Sequence, residues 1–154
     1  MRSRGLRRTL IESFLLLSTA GLFVACEHDT ATAPLPPAGL QATLSSIQAN
    51  IFTPKCALAG CHVAGGGAPM SLASGDSYLS LIGAAGTGVP SANPNYSGKL
   101  RAAPGNANVS VLYLKVIGDN SVGGVGGRMP PSGALSQAET DSIAAWINAG
   151  AQNN

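Results

Sequence analysis

Residues 51–62 read Ile51-Phe52-Thr53-Pro54-Lys55-Cys56-Ala57-Leu58-Ala59-Gly60-Cys61-His62. Two cysteines flank a four-residue spacer, and a histidine follows the second cysteine directly. Upstream, apolar residues at Leu40, Leu44, Ile47, Ile51 and Phe52 recur close to a helical period. That pattern predicts a helix over residues 40–52, with Pro54 expected to stop it. Downstream, residues 63–69 hold three consecutive glycines and a proline and read as a loop. The cysteines therefore sit at the corner where a helix gives way to glycine-rich chain.

Working outward, residues 74–82 suit a short helix capped by Ser74 or Asp76 and buried through Tyr78, Leu79 and Ile82. Residues 109–117 are ambiguous, because their β-branched side chains suit a strand as well as a helix. Residues 136–149 are the clearest helix: Ser136 at the N-cap with Glu139 three positions on is a capping box, and Gly150 is placed as a C-terminal stop. Its buried face would be Ile143, Trp146 and Ile147. Residues 83–98 and 118–133 read as further loops. The expected class is all-α, mainly helical with long loops. Aromatic residues are few; beyond residue 25 they are Phe52, Tyr78, Tyr96, Tyr113 and Trp146. A small domain so poor in large apolar side chains needs stability from another source, such as a disulfide, a metal or a buried cofactor.

The chain has 154 residues, with nine basic and seven acidic side chains. Four of the basic ones (Arg2, Arg4, Arg7, Arg8) fall in residues 1–25, which end in an apolar run over residues 14–25. A basic head followed by a short apolar run is the pattern of an export signal rather than a membrane span. Without those residues the remainder carries five basic against six acidic side chains. It has no basic patch and offers no case for nucleic acid. Phe23-Val24-Ala25-Cys26 is similar to a bacterial lipobox, which implies cleavage before a lipidated Cys26. Glu27 after it leans towards outer-membrane sorting. Residues 26–38, with Pro34, Pro36 and Pro37, read as a tether, leaving residues 39–154 as one domain. Arg7-Arg8 also suggests a twin-arginine signal, but the residues around it fit that signal poorly.

With Cys26 assigned to lipid, Cys56, Cys61 and His62 carry the chemistry. The common attachment signature for haem c is C-x-x-C-H, in which two thiols bond the haem vinyl groups and the histidine is thereby set under the iron. Here the spacer has four residues, and Ala59 and Gly60 would let it loop outward. A Cys56–Cys61 disulfide is an alternative in an oxidising compartment. A zinc site would lack a fourth ligand beyond His28 in the tether, and a catalytic dithiol uses a shorter spacing. For a second axial ligand, Met129 stands in Gly126-Gly127-Arg128-Met129-Pro130-Pro131, where prolines fix the backbone around a weak thioether donor. Met70 is close to His62 in sequence, and His28 belongs to the tether.

The order of these pieces resembles a class I cytochrome c, and more narrowly the cytochrome-like modules of planctomycetes and related bacteria. The resemblance covers residues 46–151 and rests on residues 51–56, Arg101-Ala102-Ala103-Pro104-Gly105-Asn106, residues 127–131 and Leu135-Ser136-Gln137-Ala138-Glu139. C-x-x-x-x-C-H sites occur among c-type cytochromes. The resemblance implies a domain wrapped around one covalent haem c, thioether bonds at Cys56 and Cys61, and iron ligation by His62 and Met129. By analogy Phe52 and Trp146 would pack around the haem. Arg101, or less readily Lys99 or Arg128, would pair with a propionate.

The function expected is a monohaem electron carrier that is not itself an enzyme, anchored by lipid at Cys26, facing the periplasm or exterior and serving redox partner proteins or a larger redox enzyme. The alternative is a haem-free exported lipoprotein, closed by a Cys56–Cys61 disulfide and acting as a binding or structural module. Peroxide reduction would require a distal base, which a chain with two histidines hardly offers.

Overall fold

The computed structural model describes residues 39–119 and 127–154. The chain divides into residues 1–31 and 32–154, and all described residues belong to the second unit. The segments expected to be an export signal and a tether, with Cys26 and His28, lie outside the described residues, as does part of the expected loop at 118–133. The described residues are helix-rich; their β-pairing is a single antiparallel bridge between Pro90 and Leu100. None of their helices is long and apolar enough to cross a membrane.

Helix α1 (Leu44–Ile47) opens on Thr43, whose hydroxyl accepts from the Ser46 N–H. Its remaining free N–H groups are met from the far end of the chain. Asn154 accepts from Leu44 N through Oδ1 and from Ser45 N through its main-chain oxygen. The helix does not stop before Pro54. It widens into a π-helical segment, Gln48–Cys56, with Pro54 inside it. Proline breaks an α-helix because its ring meets the carbonyl four residues back and it supplies no N–H. A wider turn with i→i+5 bonds, such as Ala57 N to the Phe52 carbonyl at 2.7 Å, leaves room for that ring. Ile47, Ile51, Phe52 and Cys56 are consequently buried on one continuous face.

Helix α2 (Ser77–Leu81) is shorter than expected and follows Asp76 without a side-chain cap. Leu79, expected inside, is 58% exposed, and Leu81 takes the buried position instead. The difference is one of phase: Ser77 and Leu81 stand four apart on the inner face. The ambiguous segment is helix α3 (Val111–Ile117), preceded by a 3₁₀ turn at Ala107–Val109 and closed by Gly118 at φ +74°. Leu112, Leu114 and Val116 are all buried, a strand-like alternation on a helix. The cause is burial on two sides. Leu112 and Val116 join the main core, while Leu114 packs with Tyr96 in a second cluster.

Helix α4 (Gln137–Asn148) carries the expected capping box at Ser136 and Glu139 and buries Ile143, Trp146 and Ile147. Its Trp146 indole donates to the Gln152 carbonyl at 2.8 Å, so the buried ring keeps its polar edge satisfied. The main core joins α1, the π segment, α3 and α4 through residues such as Ile47, Ile51, Phe52, Ile143 and Trp146. An ion pair from Lys55 to Glu139 fastens the end of the π segment to the first turn of α4.

Glu139 thus serves both the cap and the ion pair. Burial would raise its pKa, but the Lys55 ammonium and the Ser136 N–H and hydroxyl outweigh this and hold it below the usual 4.5. A lowered carboxylate pKa stabilises the fold above the unfolded value, and this contribution fades as pH falls through the folded one. Ser136→Ala is expected to cost about 1 kcal/mol in urea unfolding at neutral pH. The stability gap between the protein and Glu139→Gln should shrink as pH drops below 4.5.

Candidate functional site

Because the π segment runs on to residue 56, Cys56 ends it on the buried face, 9% exposed. The chain then folds tightly back. Cys61 N donates to the Leu58 carbonyl at 2.9 Å and His62 N to the Cys56 carbonyl at 3.2 Å. Leu58, Ala59 and Gly60 are exposed, so the spacer bulges outward, and Gly60 takes the required positive φ of +78°. A second strand of loop lies against this turn: Gly67 N donates to the Gly60 carbonyl at 3.1 Å. A Cβ at position 66 would stand 2.2 Å from the Cys61 carbonyl oxygen, so glycine is needed there.

This corner forms one wall of a cavity of about 510 Å³. Cys56, Cys61, His62, Met70, Arg101 and Met129 all line it. Its volume falls within the roughly 300–1,000 Å³ usual for sites that enclose a cofactor. Leu72, Leu112 and Val116 supply apolar wall, and Tyr96 closes another part of it. Among the described residues the charged side chains in the lining are Lys55, Arg101 and Lys115, with no carboxylate. Tyr96 is 4% exposed, and its buried hydroxyl has no hydrogen-bond partner among the described residues.

His62 is half-buried, and its Nδ1 lies 3.4 Å from the Met70 carbonyl oxygen. A carbonyl can only accept, so Nδ1 carries the proton and Nε2 keeps its lone pair for an electrophile or a metal. Burial lowers the His62 pKa below its usual 6.5, outweighing the upward pull of the bond to Met70, and so favours the neutral ring. Met70 thus stands beside His62, contributing its carbonyl to the imidazole. Met129 is carried by the chain that returns to α3: its N–H donates to the Lys115 carbonyl at 2.9 Å. Next to it, the Arg128 guanidinium donates to the Ile117 carbonyl at 3.0 Å, capping α3 with a cation.

Five residues singled out in the sequence, Cys56, Cys61, His62, Arg101 and Met129, therefore share one cavity. Phe52 and Trp146, expected as cofactor contacts, do not line it; they are fully buried in the main core. Lys99 and Arg128 do not line it either. Tyr96 and Lys115 line the cavity but were not foreseen. The Lys115 ammonium is 5.9 Å from the centre of the Tyr96 ring. Lys115 follows Leu112 and precedes Val116 on α3, a spacing that becomes informative only once that segment is known to be helical.

Cys56 and Cys61 are both free thiols in this structure. Among the described residues no three His, Cys, Asp or Glu side chains gather to hold one metal ion. Comparison with protein-family models, with curated proteins and with solved structures finds no match.

The two thiols differ in environment. Burial, only partly offset by Lys55, pushes Cys56 up to about 11, whereas Cys61 is exposed. In protein with both thiols free, iodoacetamide should label Cys61 first at neutral pH. Cys56 should stay unlabelled until the protein is unfolded or the pH approaches 11. Peptide mass spectrometry at successive times reads this order, and equal labelling of both would contradict the burial of Cys56.

Proposed function

We propose that this chain is an exported monohaem c-type cytochrome that carries single electrons and is held at a membrane by lipid on Cys26. The observation that carries the reading is the convergence of Cys56, Cys61, His62 and Met129 on one largely apolar cavity whose charged lining is cationic. Those features suit a flat apolar cofactor with two carboxylates. When bound, the haem supplies one-electron chemistry at its iron, and the protein supplies ligation, burial and electrostatics.

Each residue has a part that follows from its position. Cys56 and Cys61 would hold the group through two thioether bonds. The exposed Leu58 and Ala59 of the spacer bulge away from the cavity, and Gly60 returns the chain to its wall. His62 offers Nε2 as a ligand because its other nitrogen is committed to Met70. Met129 offers a thioether from a segment fixed to α3 by the bond to Lys115. A thioether partner favours the reduced state and suits electron transfer. Leu72, Leu112 and Val116 keep water from the cavity wall. Lys115 and Arg101 offset the negative charge of carboxylates. With His62 and Met129 both holding the iron, the group would keep no free position for a substrate, so the reading is a carrier for redox partner proteins rather than an enzyme.

The test is a pyridine haemochrome spectrum after acidified-acetone extraction of protein produced with a cytochrome c maturation system. Haem that resists extraction and gives a c-type spectrum is the expected result, and His62→Ala should abolish the native spectrum. Met129→Ala should keep covalent haem while the reduced form gains carbon monoxide binding, which the unaltered protein should lack. Absence of covalent haem despite competent maturation would overturn the reading in favour of the disulfide-closed module. Cys26→Ser should move the protein from the membrane to the soluble fraction.

A further inference from the structure

The loop after His62 is held in a way that the ligand set alone does not require. His62 is gripped on two sides by residues 70–72: its ring faces the Met70 carbonyl at 3.4 Å, and its own carbonyl accepts from Leu72 N at 2.8 Å. This strap is in turn fixed at both ends. At one end the Arg101 guanidinium donates through Nη2 to the Pro69 carbonyl at 3.3 Å. At the other, the Gln48 side chain donates through Nε2 to the Leu72 carbonyl at 2.9 Å.

Both pins are themselves oriented by helix α2. Ser77, 3% exposed, donates its hydroxyl to Gln48 Oε1 at 2.6 Å. The Ser80 carbonyl accepts from Arg101 Nη1 at 2.7 Å. Arg101 has no slack at its base, since its N–H donates to the Val89 carbonyl at 2.7 Å and its carbonyl accepts from Leu112 N at 2.8 Å. Gln48 rises from the first turn of the π segment and also donates to Thr53 Oγ1 at 3.0 Å. Three separate parts of the chain thus converge to set four residues of loop. The Arg101 fork, expected to meet a carboxylate, spends two of its donors on main-chain carbonyls.

We infer that Arg101 and Gln48 are positioning residues: they hold the strap of residues 69–72, and through the Met70 carbonyl they fix the ring of His62 and its donor strength. This rests on the haem reading above. A histidine ligand whose other N–H is firmly hydrogen-bonded is a stronger donor, which favours the oxidised metal. Loosening either pin should weaken that bond and shift the redox equilibrium towards the reduced form.

The test uses full-length, haem-loaded protein and compares midpoint potentials at one pH. Arg101→Lys keeps the positive charge but loses the two-carbonyl fork. Gln48→Met removes the other pin without any change of charge, and Gln48→Met with Ser77→Ala avoids leaving the Ser77 hydroxyl unpaired. Both pins are expected to move the equilibrium the same way, about threefold to tenfold towards the reduced form, the scale of one weakened hydrogen bond. The His62 Nδ1–H proton signal should also exchange faster with solvent in both. If Arg101→Lys and Gln48→Met leave potential and exchange unchanged, the strap does not tune His62 and the inference is overturned. The same holds if Arg101→Lys matches the unaltered protein while Arg101→Met alone lowers the potential, because Arg101 would then act only as a charge. Unaltered protein without covalent haem would overturn the haem reading and this inference together, whereas bound haem with unmoved potentials overturns the inference alone.

Discussion

The fold turns on how the chain accommodates Pro54. An α-helix at that point would have to end, and residues 55–62 would leave the core at once. By widening instead, the helix keeps Ile47, Ile51, Phe52 and Cys56 on a single buried face and delivers the first cysteine to the inside. The Lys55–Glu139 ion pair fastens that end to α4, and the His62 N–H returns to the Cys56 carbonyl. The cavity wall follows from those two attachments. Wide turns of this kind are uncommon and tend to occur where a side chain has a task that regular geometry would not allow.

Elsewhere the domain is held less by bulk than by polar side chains that close loops. Ser110, fully buried, accepts from Ala103 N and donates to the Asn106 carbonyl, folding the segment before α3 onto itself. Asn148, near the end of α4, accepts from Ala107 N at 2.9 Å, and Ser142 donates to the Gln41 carbonyl at 2.8 Å. A chain with few aromatic residues has a small apolar core to spend against conformational entropy, so unmet main-chain groups would be costly. The serines and asparagines that make the composition look like loop are the parts that satisfy those groups.

This explains which features could be read from the sequence. Helix α4 was legible because its signals are local: the cap, the glutamate three residues on and the apolar spacing lie within one segment. The cysteine corner was legible for the same reason, and Met129 stood out between glycines and prolines; α1 begins at Leu44 behind a Thr43 cap, four residues later than the apolar spacing suggested. The course of the chain through Pro54 was not, because proline is a stop signal only for the α-helical turn. Helix α3 was hidden by burial on two faces, which imitates the alternation of a strand. Tyr96, Lys115 and the pins on residues 69–72 depend on contacts between distant segments, and no local pattern announces them. Phe52 and Trp146, read from the sequence as partners of a cofactor, lie in the main core and outside the cavity lining, a distinction that apolar character alone does not make.

The two sides of the cavity are not equally stiff in construction. The His62 side adjoins the continuous helical run from Leu44 to Cys56 and is cross-tied to α2 and to Arg101. The Met129 side is tied to one short element, the seven-residue helix α3, by the Met129 N–H to the Lys115 carbonyl, Lys115 Nζ to the Gly127 carbonyl and Arg128 to the Ile117 carbonyl. Strain imposed on such a clamp concentrates in its weaker jaw. Swelling, heat or a competing ligand would therefore open the site from the methionine, while the histidine and its neighbouring thiols keep their places. On the haem reading, that division would give the domain a fixed half, setting where the cofactor sits, and a yielding half, setting how readily its iron could change partners.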